Sequence, residues 1–216
     1  MPERRLTAWV IILSVFALLI CFLLAPSVNA VAATLASGFV VSAVFYFMVV
    51  WLPERRRRHL IHKNFQEHFR RFKLNCIQLF LMSSNSQQYH PHEMLLDQAE
   101  FRRYFKISVL PDQDRWHMVL NSMQSNSYIL RELLHELEVL RGEIHFVLNN
   151  IDIHDEDAFD FLKRLGHSIL RLRDIQPEYD DVEYIGDFLW SIFTGWSVID
   201  GYREQDLFSQ MMERVQ

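Results

Sequence analysis

Two long runs of apolar residues dominate the first quarter of the sequence. Residues 6–25 and 31–52 contain no Asp, Glu, Lys, Arg or His. At about 1.5 Å per helical residue, each run is long enough to cross a hydrocarbon layer about 30 Å thick. The pattern predicts a transmembrane hairpin within residues 1–53, with the uncharged stretch "PSVNA" joining the two spans.

A cleaved signal peptide is the alternative for the first run. Val28-Asn29-Ala30 resembles a cleavage site, and basic residues precede the apolar stretch. The run is nevertheless longer than the usual apolar core of a signal peptide, and a second apolar run follows almost immediately. Both features favour the hairpin.

Basic residues flank both predicted spans on one side. They are Arg4 and Arg5 before the first span, and Arg55, Arg56, Arg57 and Arg58 after the second. Because short loops rich in Lys and Arg stay in the cytoplasm, both termini are expected there. We therefore expect an integral membrane protein, of the bacterial inner membrane. The same arginines are candidates for contact with anionic lipid headgroups.

Small residues recur along the second predicted span. Ala32 and Ala36 are four residues apart, as are Gly38 and Ser42. Small side chains let two transmembrane helices approach closely, and that packing drives their association in lipid. The face has two interpretations, namely packing against the first span of the same hairpin and packing against another copy as a homo-oligomer.

A basic amphipathic helix is predicted for residues 54–82. Its apolar positions recur at steps of three and four, the period of one helix face. They are Ile61, Phe65, Phe69, Phe72, Cys76 and Leu79. The other faces carry basic residues, Lys73 among them. Such a helix either lies on lipid headgroups or enters a helical bundle, and the matching faces downstream favour the bundle.

Residues 92–216 show helical periodicity throughout. The longest heptad pattern comprises Leu130, Leu133, Leu137, Leu140, Ile144, Val147 and Ile151. Further faces lie in residues 158–172 and 182–199, a cap is expected at Asp112 or Asp114, and Asp180 with Glu183 is spaced as a capping pair. The absence of a two-residue alternation predicts an all-α domain, a bundle of about five or six helices.

The stretch "FLWSIFTGW", residues 188–196, is apolar on nearly every face. It is too short to cross a membrane, so it is expected to form the central helix of the bundle. Trp190 and Phe193 lie off its main seam. Their two interpretations are core packing and docking of a protein partner.

Charge is distributed unevenly along the chain. Residues 54–75 carry eight Lys and Arg against two acids, whereas residues 76–216 carry 12 against 24. An acidic body of this kind argues against nucleic-acid binding, which normally uses a large basic face. Cys21 lies in the first predicted span and Cys76 in the polar part, so no disulfide is expected.

Candidate chemistry is sparse. Glu132 and His135 match half of the carboxylate-bridged di-metal pattern of helical bundles, but a second Glu-x-x-His is absent from residues 76–216. Phosphate-binding glycine loops, nucleophile elbows and paired zinc cysteines are also missing. No enzymatic activity, cofactor or metal is therefore expected.

Three functions remain as hypotheses. The first is a membrane-anchored cytosolic adaptor, sensor or regulatory protein that acts through protein–protein interaction. The layout of two spans and a helical body is similar to that of two-transmembrane effectors in bacterial antiviral and nucleotide-signalling systems. That resemblance implies the second hypothesis, an oligomerising effector that perturbs the membrane. The third is a metal-dependent enzyme that uses Glu132 and His135.

Overall fold

The chain divides into two compact units, Met1–His59 and Leu60–Gln216. The computed structural model describes residues 30–84, 92–110, 113–197, 201–202 and 206–215, together with Ser14, Phe16, Ala17 and Ile20. The first predicted span, residues 6–25, lies almost wholly outside the described residues. The structure therefore shows one long apolar helix and not the predicted two-helix hairpin.

The described part of the first unit is helical. Helix α1 spans Ala30–Tyr46, a π-helical turn spans Phe47–Trp51, and helix α2 begins at Leu52 and continues to Ser83. Pro53 lies two residues after Trp51, the last residue of the π turn. A proline within a helix lacks the N–H that would bond to the preceding turn, and its ring crowds the carbonyl group four residues earlier. The wider π turn leaves room for the proline ring and does not require the missing hydrogen bond.

The second unit is a helical bundle, and helices make up 84% of the structure as a whole. Its elements after α2 are a 3₁₀ helix His92–Leu96, α3 Gln98–Phe105, β1 Ser108–Leu110, β2 Gln113–Asp114, α4 Arg115–Ser125, α5 Ser127–Asn150, α6 Glu156–Arg171, α7 Tyr179–Thr194, β3 Trp196–Ser197, β4 Gly201–Tyr202 and α8 Leu207–Glu213. The all-α prediction is confirmed.

Two short antiparallel hairpins were not anticipated from the sequence. β1 pairs with β2, and β3 pairs with β4. Each strand has only two or three residues, too few to produce a recognisable two-residue alternation of apolar and polar positions. The hairpins are connections between helices and do not alter the fold class.

The heptad pattern forms the central seam of the bundle, as predicted. All seven of its residues, from Leu130 to Ile151, are buried, and α5 packs along α6. The apolar face predicted for residues 158–172 is also buried, with Ala158 and Leu162 fully inaccessible. Burial of these matched apolar faces accounts for the packing of the two helices against each other.

Acidic and amide side chains cap the helices. The Asp114 carboxylate accepts a hydrogen bond from the His117 N–H, which confirms one of the two predicted caps for α4. The capping pair predicted at Asp180 and Glu183 is wrong, because α7 starts at Tyr179. The Asp181 carboxylate instead accepts a hydrogen bond from the N–H of Gln176, in the loop before the helix.

Helix α7 ends earlier than its heptad pattern suggested. Gly195 adopts a left-handed conformation with φ of 67°, a backbone state that terminates helices. Trp196 therefore lies in β3 and is 41% exposed, instead of continuing the buried seam. Ile199, the next predicted seam residue, lies outside the described residues.

The apolar face of α2 enters the core of the second unit. Phe65, Phe69, Phe72 and Cys76 are all buried there. This finding supports the bundle interpretation of the residues from Leu60 onward. Lys73, which the periodicity assigned to a polar face, is instead buried beside that core, with a side chain only 6% exposed.

The sequence pattern also predicts a last helix with Leu207 or Phe208, Met211 and Val215 on its apolar face, and the structure differs from this prediction in detail. α8 presents Met212 to the core instead of Met211, while Val215 is buried as expected. The difference arises because α8 starts at Leu207 and ends at Glu213, which is too short for periodicity alone to establish its phase.

Candidate functional site

The apolar helix of the first unit is exposed within the part of the chain that the structure describes. A continuous helix, Ser37–Ser83, contains an 18-residue stretch apolar enough to cross a membrane, and none of that stretch is buried within the protein. Its exposed large apolar side chains are Phe39, Val41, Val44, Phe45, Tyr46, Met48, Val49 and Val50. By length and composition, this helix is therefore sufficient to cross a membrane.

An aromatic and basic segment follows this apolar stretch. The rings of Phe47 and Trp51 stack with centroids 4.8 Å apart, and the Arg55 guanidinium lies 5.1 Å from the centre of the Trp51 ring. Tryptophan and arginine together are typical of the boundary between hydrocarbon and headgroups. The arrangement therefore suits a helix leaving a membrane at about this level.

Glu54 interacts with two of the predicted orienting arginines. Arg58 Nε donates a hydrogen bond of 3.1 Å to Glu54 Oε1, and Arg57 Nη1 lies 3.9 Å from Glu54 Oε2. Arg55 and Arg56 are exposed. The segment keeps a positive charge because one carboxylate faces four guanidinium groups. Arg4 and Arg5, the other predicted orienting residues, lie outside the described residues.

The small residues predicted to associate in the membrane lie on α1. Gly38 and Ser42 are exposed, and in the described part of the chain no atom beyond the neighbouring residues and the adjacent helix backbone lies within 4 Å of the position that a Cβ at Gly38 would occupy. Ala32 and Ala36 belong to the same helix. The face is therefore accessible at Gly38, and its partner, the first span or another copy, stays a prediction.

Trp190 and Phe193 lie in an aromatic core cluster. Trp190 is 9% exposed and Phe193 is 2% exposed. The Phe193 ring lies 5.0 Å from that of Phe101 and 5.3 Å from that of Phe80, while Trp190 lies 5.0 Å from Trp116. Both rings therefore pack in the core of this unit, and the docking interpretation stays a prediction.

Glu132 and His135, the two candidate metal ligands, both belong to helix α5. Glu132 is half-buried and lies 3.8 Å from Arg131 Nε, while His135 is exposed. Among the described residues, no three His, Cys, Asp or Glu side chains are grouped closely enough to hold a metal ion. The structure thus adds no further ligand to this pair.

Cys76 is fully buried, and its thiol is free. Burial raises its pKa well above the ordinary value, and the negative charge of Glu136 raises it further. A thiol of this kind is protonated at neutral pH and packs as a small apolar group.

A buried ionic contact joins α2 to the start of α8. Lys73 Nζ donates a hydrogen bond of 2.9 Å to Asp206 Oδ2, and it lies 5.2 Å from the centre of the Phe69 ring. Nearby, His62 Nε2 is 2.8 Å from the Met212 carbonyl oxygen. A groove of about 290 Å³ opens beside Lys73 and Asp206.

Sequence reasoning missed this contact, although a signal existed. Lys73 lies four residues after Phe69 and four before Ile77, both of which are buried. A lysine in step with buried apolar residues calls for an acidic partner. Its partner is 133 positions away in the chain, and no local pattern identifies it.

The sequence matches no protein-family model, and no curated protein or solved structure shows significant similarity to it. Function must therefore be inferred from the physical features of the two units.

Proposed function

We propose that this protein is a membrane-anchored helical adaptor, sensor or regulatory protein that acts by protein–protein interaction on the cytoplasmic side. The observation that carries the proposal is the helix with an entirely unburied apolar stretch, followed by four consecutive arginines. The second unit has its own core, so its helices are not needed to cover the apolar stretch.

The arginine run supports the cytoplasmic orientation. Basic residues next to a span favour retention on the cytoplasmic side. The four arginines and the single Glu54 give this segment a net charge of +3 (4 − 1). The first predicted span, residues 6–25, would return the chain to the same side. Both termini are then cytoplasmic, and the inner membrane of a bacterium is the proposed location.

Membrane insertion is tested with the full chain in its native host. We expect the protein to stay in the membrane pellet after alkaline carbonate extraction. A protease applied outside spheroplasts should leave the region of Asp155 intact, whereas lysis should expose it. Release of the intact chain by carbonate, or external cleavage near Asp155, contradicts the proposal.

The adaptor role is tested by crosslinking and capture of the full chain from native membranes. The control is Leu133→Asp, which places a charge in the central seam and should unfold the bundle. Proteins that are recovered with the native chain and lost with the control are partners of the folded unit. Identical recovery from both chains contradicts specific binding by the bundle.

The accessible small-residue face favours a second candidate function, an oligomerising effector that perturbs the membrane. Replacement of Gly38 by Ile would obstruct close helix approach at the open position. The matched control is Val41→Ile, which enlarges an exposed apolar residue of the same helix. If the effector hypothesis holds, the chain causes dye leakage from liposomes, and only Gly38→Ile abolishes it. A monomeric chain that causes no leakage removes this candidate.

A further inference from the structure

Two cations and two aromatic rings meet on the surface of the second unit, where α3 lies beside the β3–β4 hairpin. The cluster, called here the cationic hairpin surface, comprises Arg102, Lys106, Trp196 and Tyr202. The Arg102 guanidinium lies 4.7 Å and the Lys106 ammonium 5.3 Å from the centre of the Tyr202 ring. The Trp196 and Tyr202 rings are paired across the hairpin, with centroids 4.8 Å apart.

The aromatic rings of this surface are open to solvent. Trp196 is 41% exposed and Tyr202 is 38% exposed. Other aromatic side chains of this unit are exposed as well, such as Tyr128 and Tyr184, but this cluster combines two exposed rings in mutual contact with two cations that lie over one of them. Tryptophan, tyrosine and arginine are also the residue types that contribute most to binding energy at protein interfaces.

The two cations lack a carboxylate partner within the described part of the chain. Their position near the end of α3 is explained in part by the helix dipole, which favours positive charge there. Arg103 shows the contrast, since it occupies the same turn but is paired with Glu100. The helix dipole explains neither the exposed rings nor the convergence of both cations on one of them.

We infer that the cationic hairpin surface binds an acidic segment of a partner protein. Stacking on Tyr202 holds the guanidinium and ammonium groups in place, so a carboxylate can bind them with little loss of side-chain freedom. Residues 76–216 carry 24 acids against 12 basic residues, so within this part of the chain an acidic partner is repelled by most of the surface and attracted to this basic cluster.

Two other occupants suit the surface less well. Recognition of anionic lipid typically uses clusters of about four to eight basic residues, and this surface has two. Small ligands obtain most of their affinity from enclosing pockets, whereas these rings are exposed side by side. An extended acidic segment lying across the rings meets both constraints. The inference rests on the proposed adaptor function and names the chemistry of its partner.

The test uses the full chain in neutral detergent micelles and a fluorescein-labelled peptide of alternating Asp and Leu. We expect fluorescence anisotropy to report binding at low ionic strength that weakens as salt is added. Peptides with Asn or Lys in place of Asp should not bind. The double variant Arg102→Gln/Lys106→Gln keeps both rings and should lower the affinity about tenfold, equivalent to two charge pairs of about 0.7 kcal/mol each.

The matched control is Arg103→Gln, which removes a neighbouring arginine that is already paired. Its affinity for the peptide should stay within about twofold of the native value. Circular dichroism of each variant verifies that the helices are intact. A second variant, Tyr202→Leu, should weaken binding while leaving both cations in the chain.

Three results would overturn the inference. The first is that the peptide does not bind at low salt. The second is that the native chain and the double variant bind the peptide equally. The third is that the chain binds phosphatidylglycerol vesicles through Arg102 and Lys106 but does not bind the peptide. These outcomes leave membrane anchoring untouched. If crosslinking still recovers specific partners with the double variant, the adaptor function holds and a different surface carries it.

Discussion

Lys73 Nζ lies 2.9 Å from Asp206 Oδ2, and the two residues form an ion pair although they are 133 positions apart in the sequence. The lysine side chain is 6% exposed and the aspartate side chain 21%. Asp206 also caps α8, accepting hydrogen bonds from the N–H groups of Phe208 and Ser209. One carboxylate thus neutralises a buried charge and starts the last helix.

Asp206→Asn should therefore destabilise the second unit by about 2 to 3 kcal/mol. Asparagine still caps a helix, but it leaves the Lys73 ammonium buried without its counter-charge. Urea unfolding of the full chain in neutral detergent, followed by circular dichroism, measures the difference. Lys73→Met should cost less, because Asp206 keeps its cap bonds and is more exposed. If Lys73→Met proves the more harmful substitution, the unpaired Lys73 ammonium is not the main cost of breaking the pair.

Gly195→Ala should destabilise the unit by about 1 to 3 kcal/mol. Gly195 has a positive φ of 67°, and an added Cβ would lie 2.7 Å from Gln98 Oε1. The matched control is Gly142→Ala in the middle of α5, where the Cβ position is open. That change should stabilise the helix by up to about 1 kcal/mol. Opposite signs in the same urea titration are the expected result, and equal effects contradict it.

Gln98→Met should stabilise the unit by about 1 to 2 kcal/mol. Gln98 is 7% exposed, and neither its side-chain nitrogen nor its oxygen has a hydrogen-bond partner among the described residues. Methionine has a similar volume and no polar group to leave unpaired. The control is Gln113→Met, since Gln113 is exposed and its substitution should be nearly neutral. Loss of stability in Gln98→Met would indicate that the amide has a partner, such as an ordered water.

Glu138 should titrate below the ordinary range for a glutamate. Arg141 donates two hydrogen bonds, of 2.6 and 2.8 Å, to its carboxylate, and these bonds lower the pKa of Glu138. Arg141→Met should raise that pKa towards its ordinary value. Carbon-13 NMR of labelled glutamate side chains measures it, with Glu138→Gln identifying the signal.

The same contact has a defined pH dependence. Because the folded-state pKa is lowered, its stabilising effect is present above the unfolded pKa and is lost as pH falls through the folded pKa. The stability difference between the native chain and Arg141→Met should therefore shrink as the solution is acidified. Glu138 is 47% exposed, so solvent screening keeps the difference small. A difference that grows on acidification contradicts this account.

Local periodicity predicted the long helices well. The seam from Leu130 to Ile151 and the face from Ala158 to Leu172 are buried as expected, because a matched apolar face must be covered wherever it lies. The termini were less predictable. The heptad steps continued through Trp196, yet the left-handed backbone of Gly195 ends α7 before that residue.

The sequence by itself determined the all-α class, the long apolar stretch and the basic segment that follows it, because these depend on composition and spacing along one helix. Tertiary structure alone decided that Trp190 lies in the core, that Lys73 meets Asp206, and that Arg102 and Lys106 converge on Tyr202. Such contacts join residues distant in sequence, and their geometry follows from how whole helices pack rather than from any local pattern.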